Sequence, residues 1–313
     1  MPITLAQANE LSQDFMVKGI YEELIKASPL MSLMQFVDVI GTGYTVNRED
    51  EDNPPAIQVH QPNDIWTESV GRTKSKTYAL TILGGDCDVD HFLQQTRRDK
   101  NDLMAEQISM KTKAMAHTFD RLSVYGASAS GEFPGFHELV NDAGSSMQLD
   151  LGSGTTGAPL SLLQLDEAID MCTAGTPAFI LMNKRIAREL TSYLRTVGSY
   201  QTERDDYGNR FTIYNDIPIV TTDWLYQTEA LSSGAYNAAT GGATSSIFIG
   251  YIGGDGVMGI RSGDVQWEKF DNLETKDASR TRIKWYVSLA QHSTKSLVRV
   301  SGVTAAAVTA RPA

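Results

Sequence analysis

Residues 97–125 read RRDKNDLMAEQISMKTKAMAHTFDRLSVY, a stretch with neither glycine nor proline. Within it Met104, Ile108, Met115, Phe119 and Leu122 recur at spacings of four, seven, four and three, the period of one helix face. At 1.5 Å per residue such a helix is roughly 40 Å long, beyond the usual globular length. One apolar stripe on so long a helix requires a slab of sheet or a neighbouring subunit beneath it.

The segment before the helix is different in kind. Gly41 and Gly43 open it, Pro54-Pro55 and Pro62 punctuate it, and Gly84-Gly85 close it. Strand-like pieces, Tyr44 to Arg48 and Thr77 to Leu83, flank a polar middle. Loops longer than ~12 to 15 residues are uncommon inside compact domains, so the pairing of strand signals predicts an extended β-hairpin that makes its contacts elsewhere. Its first limb carries the acids Glu49 to Asp52 and its second Arg72, Lys74 and Lys76. Residues 1–40 read as an arm with helical patches, apolar at Leu11, Phe15, Leu24 and Ile25 and interrupted at Pro29. Such an arm buries little alone.

After the helix, residues 126–159 are rich in loops: Gly126 to Gly131, a Phe133-Pro134-Gly135-Phe136 turn, and Gly152 to Gly157. A mixed α/β unit then begins. Leu162, Leu165, Ile169 and Cys172 form a helical stripe closed by Gly175 and Pro177. Ala178 to Met182 reads as a short buried strand, and Asn183 as the N-cap of a helix carrying Ile186, Leu190 and Leu194. Phe211 to Tyr214 and Ile217 to Val220 read as strands around an Asn215-Asp216 turn. Ser232 to Ser246 is a small-residue loop. Ile247 to Ile252, Val265 to Phe270, Thr281 to Leu289 and Leu297 to Val303 continue as strands, and Thr304 to Ala313 reads as a loose tail.

The 313 residues suggest about two structural units, and 41% hydrophobic against 21% charged residues allows a sizeable core. With 27 basic and 38 acidic residues the net charge is 27 − 38 = −11. Tight binding to phosphate backbones needs clustered positive charge, so this chain is not built as a nucleic-acid clamp. No run approaches the ~18 to 20 apolar residues of a membrane span, and Met1 to Asp14 lacks the pattern of a secretory signal. Cys87 and Cys172 have no close partner in sequence, which argues against a disulfide framework or a cysteine-rich zinc site.

The motifs that invite chemistry lack what the chemistry needs. Gly254-Asp255-Gly256-Val257-Met258-Gly259 matches the dinucleotide pattern G-x-G-x-x-G, with Glu274 near the position of a ribose-binding acid. Pyrophosphate binding requires a helix to start inside the motif, and Arg261 to Phe270 reads as turn and strand. Asp86, Asp88 and Asp90, beside His91, would share one face of a strand. A calcium loop would need Gly and Glu where His91 and Arg97 stand. Ser128 and Ser130, in Gly126 to Gly131, do not fit a nucleophile elbow. Glu167 and Asp170, one helical turn apart, lack a cleft. His60, His91, His117, His137 and His292 are scattered. No catalytic, cofactor-binding or metal-ligating residue is assigned, and no cofactor is expected.

The order of parts resembles the HK97-like major capsid proteins of tailed bacteriophages. By that resemblance the fold class is α+β, with an N-terminal arm (1–40), an E-loop (41–85), and a P-domain (86–157 and 259–289) carrying the spine helix 97–125. An A-domain (158–258 and 290–303) and a C-terminal tail (304–313) complete it. Ala178 to Asn183 with the Lys184 to Arg195 helix is similar to the family's A-domain strand-then-helix step, and Asn215 to Val220 to its recurrent small-Ile-Pro-Val strand. Val265 to Asn272 and Thr281 to Gly302 resemble the late P-domain strands and the strand returning to the A-domain. The resemblance implies a structural, non-enzymatic major capsid protein that self-assembles into hexamers and pentamers of an icosahedral virion capsid. That shell would enclose double-stranded DNA, with portal, scaffolding and decoration proteins as partners and no membrane. The lysine crosslink of some members is not carried over to Lys74 or Lys76, since nothing identifies an acceptor. Two alternatives remain: an encapsulin-type nanocompartment shell, and a nucleotide-dependent cytosolic enzyme built around Gly254 to Gly259.

Overall fold

The computed structural model describes residues 28–49, 55–62, 64–66, 68–96, 103–152, 157–204, 210–229, 242–270, 273–274 and 276–312. The expectations for the arm before Ser28, for Asp50 to Asp52 and for most of the Ser232 to Ser246 loop lie outside the described residues.

The described chain opens on α1 (Pro29–Leu33), started by Ser28, whose hydroxyl accepts the Met31 amide at 3.1 Å. Pro29, expected to interrupt a helix, instead begins one, where a missing amide costs nothing. β1 (Phe36–Asp38) follows, then the hairpin β2 (Gly43–Glu49) and β3 (Thr73–Ala79). Leu80 alone separates β3 from β4 (Thr81–Asp90), and α2 (His91–Thr96) precedes the long helix α3 (Leu103–Tyr125). Next come α4 (Phe136–Ala143), β5 (Gln148–Asp150), β6 (Ala158–Ser161), α5 (Leu162–Met171), β7 (Phe179–Asn183), α6 (Lys184–Val197), β8 (Gln201–Arg204), β9 (Arg210–Tyr214) and β10 (Ile217–Thr222). The chain ends through β11 (Ser245–Gly250), β12 (Val257–Arg261), β13 (Gln266–Phe270), β14 (Ala278–Gln291) and β15 (Leu297–Thr309).

β14 organises a five-stranded sheet. β4 runs antiparallel along one edge, from Asp90 opposite Ala278 to Thr81 opposite Val287. Along the other edge β12 and β13 lie end to end, with β1 added in parallel to β12. Side chains alternate across β14: Thr281, Ile283, Trp285 and Val287 are buried, while Arg280, Arg282 and Lys284 face outward. The buried face receives α3, whose Met104, Ile108, Met115, Phe119 and Leu122 are all buried, as their spacing requires. Phe119 sits among Phe36, Phe133 and Trp285, at ring-centroid distances of 6.1, 5.7 and 5.5 Å. The slab under the long helix is therefore a sheet of the same chain.

A second, eight-stranded sheet runs β5-β15-β11-β7-β10-β9-β8, with β6 also on β15. β7 is buried throughout, parallel to β10 and antiparallel to β11. Asn183 caps α6 through its side-chain oxygen, which accepts the Arg185 amide at 2.9 Å. Asn215 and Asp216 take φ of 49° and 61°, the mirror-image turn that suits a two-residue hairpin between β9 and β10.

Five readings change. Thr304 to Thr309, expected in a loose tail, are strand, because β6 supplies their pairing partner. Residues 81–85, expected in the hairpin, form the first half of β4, and β5 joins β15 rather than the long-helix unit. Gly254 to Gly259, expected as a turn between two strands, is partly strand, since Val257–Arg261 form β12. α4 was not foreseen: at eight residues it is too short to show a period, yet it buries Phe136, His137, Leu139 and Val140.

Candidate functional site

The hairpin divides into an anchored root and an uncovered tip. At the root Val46 and Tyr78 are buried, and Arg48 donates to the Tyr78 hydroxyl and to the Gln291 carbonyl. Tyr44 Oη lies 3.0 Å from His292 Nε2, and Lys76 Nζ reaches Asp142 Oδ2 at 2.6 Å. Burial pushes the Tyr78 hydroxyl above its usual range, against the lowering effect of Arg48. Burial likewise holds His292 below its usual value. Beyond the root, residues 55–60 have no ladder partner among the described residues. There Ile57, Val59, Ile65, Trp66 and Val70 are 76–99% exposed, and the His60 ring lies 3.9 Å from that of Trp66. Apolar side chains grouped this way on a projecting element mark a surface meant to be covered. A cavity of about 940 Å³ under the root is lined by Arg48, Arg72 and Lys295 together with Glu49, Asp255 and His292.

The glycine motif has a packing explanation. A Cβ at Gly256 would stand 2.7 Å from Tyr251 Cδ1, one at Gly259 would overlap the Phe36 ring, and Gly254 has open space. The chain runs from β11 through a turn into β12, so no helix begins there to meet a phosphate. Asp86 and Asp88 do share a face, but their partners are cross-strand: Arg282 Nε donates to Asp86 and Arg280 Nε to Asp88, each at 2.7 Å. Those hydrogen bonds hold both carboxyls below the usual range. Asp90 turns away to cap α2, accepting the Phe92 amide at 2.8 Å. Glu167 and Asp170 are exposed on α5; the neighbouring Asp166 is engaged, accepting Tyr214 Oη at 2.7 Å. Ser128 donates to Glu138 on the protein's own surface. Cys87 and Cys172 are both buried and free. No group of three or more metal-ligating side chains forms among the described residues.

One polar cluster had no signal in the sequence. Glu229, 2% exposed, accepts Tyr125 Oη on Oε1 and Ser246 Oγ on Oε2, each at 2.5 Å. His137 Nε2 stands 3.3 Å from Oε1, and an Arg299 terminal nitrogen 3.9 Å from Oε2. Burial would raise the Glu229 carboxyl, but these donors outweigh it and hold it below the usual range. Burial also pushes the His137 imidazole below its usual range, against the raising effect of the Glu229 carboxylate. These residues come from positions 125 to 299, and no local pattern links them.

A long helix laid on one sheet, a second mixed sheet and a projecting hairpin define the HK97-type fold of viral capsid subunits and encapsulin shells. Among solved structures the chain is similar to the encapsulin of the holo-SrpI complex from Synechococcus elongatus PCC 7942, with TM-score 0.66 and 16% identity over 91% of this chain and 90% of that one. It is also similar to the capsid of the native GTA particle, with TM-score 0.61 and 12% identity over 88% and 90%. For a structure of Mycobacterium phage Adephagia the values are 0.56 and 13%, over 91% of each chain. No protein-family model and no curated protein sequence matches the chain.

Proposed function

We propose that this chain is a major capsid protein, a structural subunit that self-assembles into the hexamers and pentamers of an icosahedral phage head around double-stranded DNA. The observation that carries the reading is the hairpin tip, whose exposed Ile57, Val59, Ile65, Trp66 and Val70 have no cover within the described residues of the subunit. A monomer gains nothing from such a surface, whereas a neighbour that buries it gains roughly 25 cal/mol per Å² of apolar area. In this reading the hairpin is the E-loop, α3 is the spine helix of the P-domain, and the eight-stranded sheet is the core of the A-domain. The subunit acts by fit rather than catalysis, and its net charge of −11 lets it line a DNA container without trapping the genome. Portal, scaffolding and decoration proteins are its partners and the virion is its location. Negative-stain microscopy and sedimentation of the expressed protein test this. Closed particles are expected, and a chain that stays monomeric at all concentrations overturns it.

An encapsulin-type shell is the second reading, favoured by the TM-score of 0.66 to an encapsulin against 0.61 and 0.56 to the two viral-type capsids above. Particle contents separate the two. Nuclease-resistant DNA in particles from the native source supports the phage head, and a co-purifying protein cargo supports the nanocompartment.

A further inference from the structure

The Glu229 cluster sits where the chain leaves the eight-stranded sheet and returns to it. The Glu229 amide donates to Thr244 O at 3.0 Å, Thr244 Oγ1 donates to Glu229 O at 2.7 Å, and the Gly242 amide donates to Thr228 O at 3.3 Å. These bonds pair Thr228 and Glu229 with Gly242 and Thr244. The Glu229 carboxylate then ties that pairing to three other places. Tyr125 is the last residue of α3, Ser246 belongs to β11, and Arg299, which donates to Ser246 Oγ at 3.0 Å, belongs to β15. Tyr125 is itself fixed: its hydroxyl accepts the Tyr226 amide at 3.0 Å, and its ring stacks on His137 and Tyr226 at 4.8 and 5.0 Å.

An apolar plug would fill this space at lower desolvation cost, since buried ion pairs are poor sources of net stability. What an apolar plug lacks is direction. Each carboxylate oxygen here is met by a donor from a different element, and only one arrangement of those elements satisfies them all.

We propose that Glu229 is a positioning residue, whose buried carboxylate locks the paired segments 228–229 and 242–244 to the end of α3. Residue-resolved hydrogen exchange on the full chain tests this with Tyr125→Phe, which keeps the stacked ring and removes one donor. Ser246→Ala, which removes the other, is the second variant. The readout is the Glu229 and Gly242 amides, which bond to backbone carbonyls and not to the altered side chains. Exchange there should quicken at least tenfold in each variant, while amides of β14 stay within twofold of the wild type. Unchanged protection at Glu229 and Gly242 in both variants overturns the proposal. So does an equal loss of protection in β14, which would mean general destabilisation. Neither outcome depends on whether the chain forms shells.

Discussion

The ring of Phe36 occupies the space that a side chain at Gly259 would need. Phe36 belongs to β1, which pairs with β12 through Phe36 opposite Gly259, and Arg261 holds Asp38 at the far end of that pairing at 2.8 Å. The glycine therefore admits β1 onto the sheet. Gly259→Ala should cost about 1 to 3 kcal/mol, the usual penalty for overpacking a core. Gly254→Ala, in open space, should stay within about 0.5 kcal/mol. Urea unfolding of both variants measures this. The opposite ranking would return the motif to the status of a ligand loop.

Asp120 supplies a pH dependence. It is 2% exposed on α3, it accepts the Ser28 hydroxyl, and burial raises its carboxyl to about 7 despite that bond. An unfolded aspartate titrates near 3.9, so between about pH 4 and pH 7 the folded state binds the extra proton. The stability contributed by protonated Asp120 is complete below that window and is lost as pH rises through about 7. Wild type should lose on the order of a few kcal/mol between pH 5 and 8. Asp120→Asn should show a flatter profile, and identical slopes in denaturant titrations of the two proteins would refute the assignment.

The long helix gives a test of orientation. Phe119→Asp places a charge amid Phe36, Phe133 and Trp285, where burial without a partner costs several kcal/mol. Lys111 is exposed, its stem lying across Gly85, so Lys111→Asp should stay within about 1 kcal/mol. Thermal melts and soluble yield read the contrast. Equal tolerance would mean that the helix faces the other way.

Folding and assembly should separate at the hairpin. The root is fixed by Val46, Tyr78, Arg48 and Lys76, and the described apolar residues of the tip are exposed. Replacing residues 50–72 with a short glycine-containing turn should leave a soluble subunit with an unchanged melting transition. Sedimentation should then show monomers or isolated capsomers. Complete particles from the truncated chain would remove the main support for a shell subunit.

Much of this architecture was already legible in local pattern. The period of Met104 to Leu122, the cap at Asn183, the turn at Asn215-Asp216 and the two limbs around Pro54 and Pro62 each rest on neighbours within a few residues. Helix periodicity, capping and turn geometry are properties of such short stretches. What only the tertiary structure decided depends on strands that meet from far apart. β4 finds β14 some 190 residues later, turning Asp86 and Asp88 from a possible metal face into rungs with Arg282 and Arg280. β6 makes a strand of the expected tail. β1 gives Gly259 its reason, and four elements close on Glu229. Backbone pairing and burial are settled by which surfaces remain once every element has formed, and no window of sequence contains that information.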